Sequence, residues 1–172
     1  YMVNLLEANA DDLVKCLRTG SIDIILDVEK LDPNIFNSVV WAEEQIVLAV
    51  PAAYEVNRRL ENYRLTFDEV ASGQYLDQKY PSISLKEFEN ETFLLLKQGN
   101  DMYERSLKMF RKAGFTPQVA MYLDQLLTAY YIACSGKGIA FVRAGITNYL
   151  ESTTKLYFYK IDDENSTRNI MM

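Results

Sequence analysis

Histidine is absent from all 172 residues, and with it go several chemistries at once. A Ser-His-Asp triad, a Cys-His pair and the common histidine-bearing zinc sites all require an imidazole. Cysteine is nearly as scarce. Cys16 and Cys134 lie far apart, each on or beside the apolar face of an expected helix, which suits reduced core thiols. No apolar run approaches the roughly 18 residues of a membrane span, and no signal peptide opens the sequence, so a cytoplasmic location is expected. A surplus of basic charge is missing too. With a net charge of -6 and a pI near 4.8, the chain itself is not expected to coat nucleic acid, which calls for a basic face. What remains is 49% hydrophobic and 24% charged residues, an ordinary globular composition for one domain or two small lobes.

The most informative stretch runs over residues 93–115. Residues 93–96 form a continuous apolar run too short for an ordinary helix, as in a strand covered on both faces of a parallel sheet. The run breaks at Lys97-Gln98-Gly99-Asn100, where Asn100 or Asp101 is placed to cap a helix over 101–113. Leu107 and Phe110 recur near the helical period, basic residues Lys108, Arg111 and Lys112 fill the last turns, and Gly114 supplies the stop. The unpaired amides of the first helical turn make that end mildly positive, worth about 0.3–1 kcal/mol to an anion, so the turn favours a carboxylate or phosphate. The plain alternative is that Gly99 only turns the chain and Asn100 only caps the helix.

Taken in order, residues 1–7 read as a strand, 9–20 as a helix capped by Asn9, and 22–26 as a second buried strand, together a small βαβ unit. An apolar strand over 46–50 closes at Pro51, and 52–86 reads as a long connection with some helix. After the 93–114 segment come a strand over 118–122, Asp124 as a helix cap, a buried helix over 126–135 and a strand over 138–142. A short helix over 146–150, an aromatic strand over 156–161, a polar loop at 162–166 and a final strand from 168 complete the chain. The two βαβ patterns, 1–26 and 93–142, imply two small sheets rather than one.

Motifs for chemistry are thin. Ser135-Gly136-Lys137-Gly138 lacks phosphate-loop spacing and ends a helix instead of starting one. The acidic clusters Asp11-Asp12, Glu43-Glu44 and Asp162-Asp163-Glu164 read as a helix start, a corner and a solvated loop. Arg143 follows directly on a strand, where parallel-sheet proteins hold ligands, and is either an anion partner or a surface arginine.

In that order, the segments resemble the effector-binding domain of LysR-type transcriptional regulators. The resemblance rests on residues 13–17 followed by Gly20-Ser21-Ile22-Asp23, on residues 44–51, on 93–99, on Phe110 with Gly114-Phe115-Thr116-Pro117, and on 136–142. It implies a type II periplasmic-binding-protein-like α/β fold, two lobes joined by two crossover strands at 46–50 and 156–161, with a small effector in the cleft. Lobe I would comprise 1–47, lobe II 48–158, and 159–172 would return to lobe I. The family's first strand and helix should precede Tyr1, and a last strand and helix should follow Met172. Carried over position by position, the ligand-binding set is Ala8, Asn9, Ala10, Gln98, Gly99, Asn100, Asp124, Gln125, Val142 and Arg143. Many relatives carry a hydroxyl where this chain has Ala10, and often a proline where it has Arg143.

The implied function is effector sensing, with ligand altering oligomer geometry and no bond made or broken. Its implied partners are a small-molecule effector, a second copy or more in a homodimer or homotetramer, and DNA only through a winged helix-turn-helix outside this chain. No membrane partner, cofactor, metal or catalytic residue is expected. Self-association is expected through the apolar side of the 101–113 helix. The alternative reading is an extracytoplasmic type II solute-binding protein; an enzyme ranks behind both.

Overall fold

The computed structural model describes residues 2–8, 10–28 and 31–172. The chain divides into two compact units, Tyr1–Glu43 with Asn169–Met172 (unit 1), and Glu44–Arg168 (unit 2).

The described residues of unit 1 include a helix, α1 (Ala10–Arg18), with Asp11 and Asp12 in its first turn and Lys15 and Arg18 in its last, each sign at the favourable end of the helix dipole. None of its residues is fully buried. Residues 2–7 are exposed and irregular, and 22–26 form no strand, so the first expected βαβ unit is not built among the described residues. The reason is the want of a hydrogen-bonding neighbour among the described residues: Ile24 is 62% and Leu26 52% exposed, and the bridge that forms is the one beyond them, Asp27 reciprocally with Met171. An apolar run has the composition of a buried strand whether or not anything pairs with it.

The strand β1 (Val40–Pro51) starts in unit 1 and crosses into unit 2, where residues 46–51 are completely or almost completely buried. The connection after it carries two short helices, α2 (Val56–Arg59) and α3 (Phe67–Ala71). A reciprocal cap starts α3: Thr66 Oγ1 accepts from the Glu69 amide and Glu69 accepts from the Thr66 amide. Next come β2 (Thr92–Leu96), α4 (Asp101–Ala113), β3 (Gln118–Leu123), α5 (Leu126–Cys134) and β4 (Ile139–Arg143), the expected strand and helix alternation. A 3-10 turn at Ala144–Tyr149 leads to β5 (Leu156–Lys160), and β6 (Thr167–Met171) ends the chain.

These strands form one six-stranded sheet in the order β3-β2-β4-β1-β5, with β6 also paired to β1, where the sequence suggested two small sheets. β2 runs parallel to both β3 and β4, whereas β1 is antiparallel to β4 and β5. The division between units falls inside β1 and inside β6. β5, expected as the second connecting strand, lies wholly in unit 2, because Val47 to Pro51 pair with it residue by residue and bury Leu156, Phe158 and Tyr159.

The core of unit 2 is aromatic where α4 meets the sheet. Phe110 stands edge-on to Phe93 of β2 at 4.8 Å and to Phe141 of β4 at 5.5 Å, and Phe115 closes the group 5.2 Å from Phe110. Met102, Ser106, Met109 and Phe110 are all buried there, so the apolar side of α4 faces its own sheet and is not free for self-association. Its outward residues Glu104, Lys108, Arg111 and Lys112 are charged. β4 opens at Gly138, where an added Cβ would meet Leu94 Cγ at 3.0 Å and the Thr92 carbonyl at 3.2 Å; only glycine lets the two strands start this close.

Candidate functional site

Three parallel strands in a row put their carboxyl ends on one edge of the sheet, the place where open α/β sheets present ligand-binding turns. That edge collects Gln98-Gly99-Asn100 after β2, Asp124-Gln125 after β3, and Val142-Arg143 at the end of β4. Seven of the ten expected residues therefore share one margin of unit 2. The other three belong to unit 1: Ala8 is exposed, Ala10 opens α1 half-buried, and Asn9 lies outside the described residues.

Each turn has its local cause. Gly99 adopts φ 91°, the left-handed region that glycine enters at little cost. Asn100 caps α4 by accepting the Met102 amide at 2.9 Å, the bond expected from the sequence. Lys97 ties the β2 and β3 ends together, its amide donating to the Leu123 carbonyl at 2.9 Å and its Nζ lying 2.9 Å from Asp124 Oδ2. Asp124 therefore pairs across the strands and does not cap α5; Gln125 holds the cap position without a side-chain bond. The Lys97–Asp124 pair is solvent-exposed, so screening leaves it a weak clasp. Val142 is fully buried, so among the expected residues it offers the edge only its main chain.

Arg143 heads a chain of charges that the sequence did not reveal. Its Nη1 lies 3.7 Å from Glu44 Oε1 on β1. The other oxygen of Glu44 accepts from Arg168 of β6, Nε at 2.7 Å and Nη2 at 2.6 Å. Arg168 also pairs with Asp101, the first residue of α4, and Asp101 accepts from Arg105 Nε at 3.0 and 2.9 Å. Arg105 in turn donates to the Asn165 and Thr167 carbonyls at 3.3 Å. The side chains of Arg168 and Glu44 are only 10% and 14% exposed, which makes their mutual pairing obligatory. Three guanidinium groups against two carboxylates leave one formal positive charge, and the exposed member, Arg143 at 45%, is where it meets solvent. Tyr75 senses the same carboxylate: burial first, and then the charge of Glu44, raise its hydroxyl above the usual tyrosine range.

The spacing Asp101 to Arg105, one helical turn apart, was the one readable sign of this network. Glu44 looked like half of a polar corner and Arg168 like part of a terminal strand, because their partnership spans 124 positions.

A cavity of about 380 Å³ belongs to unit 1, lined chiefly by Leu17, Ile24, Ile25, Leu31, Phe36 and Met171, with Asp23 and Asp27 as its acids. Its aliphatic walls and two carboxylates suit no anion, and none of the ten expected residues lines it. Among the described residues no cluster of acids and cysteines is arranged to hold a metal ion, and no helix is long and apolar enough to cross a membrane.

Residues 2–172 match the family model described as the LysR substrate binding domain. Among solved structures, the BenM effector binding domain with its effector benzoate is 16% identical at a TM-score of 0.70, covering 96% of this chain and 66% of that one. Full-length CbnR complexed with its target DNA is 17% identical at 0.67, covering 98% and 51%. The regulatory domain of CcmR from Synechocystis PCC6803, in complex with 2-PG, is 12% identical at 0.69, covering 95% and 68%. The chain thus spans about two thirds of such isolated domains and half of a full-length regulator. At these identities the likeness establishes a shared fold, the type II periplasmic-binding-protein-like arrangement expected from the sequence. A search of the curated proteins gives no match.

Proposed function

The chain belongs to the LysR substrate binding domain family, and from that premise we propose that it is the effector-sensing part of a LysR-type transcriptional regulator. The effector is a small molecule held at the carboxyl edge of β2, β3 and β4, by the turn Gln98-Gly99-Asn100, by Asp124-Gln125 and by Arg143. One observation supports this most directly: two polar turns and a half-exposed arginine, whose side chain makes no hydrogen bond among the described residues, meet on the same margin of the sheet. The chemistry there is recognition, with the Arg143 guanidinium as the charged donor. The family is a regulatory one, and we assign the domain no reaction. Binding acts by favouring one arrangement of the protein over another, to the extent that the two differ in affinity.

In this reading the domain works as part of a homodimer or homotetramer and reaches DNA through a separate winged helix-turn-helix, in the cytoplasm. Benzoate in the BenM domain, 2-PG in the CcmR domain and target DNA in the full-length CbnR complex favour it. The solute-binding alternative loses its ground, since the matched family is that of LysR regulators.

Thermal-shift screening against small carboxylates, amino acids and sugar phosphates tests the proposal. A ligand at 100 times its Kd adds about 2.7 kcal/mol of stability, a rise of several degrees that Arg143→Ala should reduce or abolish. A flat response across the whole set would remove effector sensing from this chain.

A further inference from the structure

The charge chain beginning at Arg143 is unevenly satisfied, and the unevenness is informative. Arg168 has its guanidinium divided between Glu44 and Asp101, and Arg105 is divided between Asp101 and two carbonyls. Among the described residues the Arg143 side chain has a single partner at 3.7 Å, beyond hydrogen-bond length, and that partner is the oxygen of Glu44 that accepts no bond. An oxygen with spare lone pairs thus faces a guanidinium with spare donors across a gap too wide to close. Glu44 is held back by its other oxygen, which accepts from both Nε and Nη2 of Arg168, and Arg143 by its place at the end of β4.

Resting on the effector reading above, we propose that Glu44 is an internal stand-in for the effector's own anionic group. It neutralises Arg143 at a distance while the site is empty, and repels any anion that comes to bind Arg143 more closely. Glu44 thereby sets both the affinity and the charge class of the ligand. The network carries one surplus positive charge, which a monoanionic carboxylate cancels and a dianion overshoots. The same carboxylate ties Arg143 to Arg168 and, through it, to Asp101 at the head of α4. Arrival of an anion relieves Glu44 of Arg143 and leaves it wholly to Arg168, so occupancy is felt on β1, β6 and α4, none of which the ligand need touch. The coupling is electrostatic within unit 2 and needs no bond to break.

Isothermal titration with benzoate, a monoanion, and with inorganic phosphate, mostly dianionic above neutral pH, tests this on the purified chain. Glu44→Gln is expected to bind benzoate about tenfold more tightly than the parent, with the benzoate preference over phosphate narrowed. Arg143→Gln should lose benzoate binding, and the double variant should match Arg143→Gln. Because Arg168 is nearly buried, Glu44→Gln carries a folding risk; Glu44→Asp keeps the charge for Arg168 while drawing the free oxygen away from Arg143, and should gain affinity in smaller measure. Unchanged or weaker benzoate binding in both Glu44 variants, with Arg143→Gln still inactive, overturns the stand-in role and leaves the effector reading intact. Full benzoate binding by Arg143→Gln overturns the anchor itself. Failure of all variants to bind either probe overturns the anionic class, while the wider ligand screen still decides effector sensing.

Discussion

The side chains that matter most individually are polar ones with no freedom to move. Tyr159 donates its hydroxyl to Asn57 Oδ1 at 2.8 Å, and Asn57 donates to the Pro51 carbonyl at 2.8 Å and the Ala52 carbonyl at 3.3 Å, with both side chains buried. Tyr159→Phe strands the Asn57 oxygen and is expected to cost about 1–3 kcal/mol, read as a lower urea midpoint. The same hydroxyl gives a pH signature. Burial pushes the Tyr159 phenol well above its ordinary value, and does the same to Tyr130, so the folded chain keeps these protons where the unfolded chain releases them. Their contribution is therefore complete below the unfolded pKa near 10 and is lost as pH climbs beyond it. Urea midpoints taken from pH 8 to 11 should fall, less steeply in Tyr159→Phe. Residue identities in the sequence hinted at little of this. A tyrosine in an apolar strand and an asparagine in a short helix become partners only when the chain folds back over a separation of 102 positions, just as Glu44 and Arg168 do over 124.

Elements were far more legible, because their signals are local. Four apolar residues, a glycine turn, an asparagine cap and a helical stripe ending in glycine specify β2, α4 and the turn between them without outside help, and the same holds for β3, α5 and β4. The missing strand has a plain cause: residues 22–26 pass the local test for a strand, yet pairing is a property of two segments and no described segment pairs with them. The asymmetry predicts where the sheet is most easily damaged. Phe110 joins α4 to β2 and β4 through ring contacts at 4.8 and 5.5 Å, so Phe110→Ala should open a cavity costing about 3–5 kcal/mol. Chemical denaturation would check it; a loss under 1 kcal/mol would mean the ring cluster repacks around the gap.

For the molecule as a whole, apolar burial is lopsided. Of the buried hydrophobic side chains among the described residues, only Ile25 and Met171 belong to unit 1, and the rest lie in Glu44–Arg168. Opening free energy follows buried contacts, so amide exchange followed by mass spectrometry should show slow, cooperative protection in β1 from Ile46, β2, β4 and β5, and rapid exchange through residues 10–28. Comparable protection in both parts would contradict the division. At this scale the sequence was least legible: the recurrence of strand and helix suggested an α/β fold, but the order β3-β2-β4-β1-β5 depends on which distant edges meet, and periodicity carries no record of that. The central position of β1 also has a temporal side. On a ribosome adding on the order of 10 residues per second, its greasy segment Ile46 to Val50 emerges long before Ile139 or Leu156, the neighbours that will flank it. β1 waits about ten seconds for these neighbours, and in that interval the nascent chain is a natural client for whatever holdase shields sticky polypeptide.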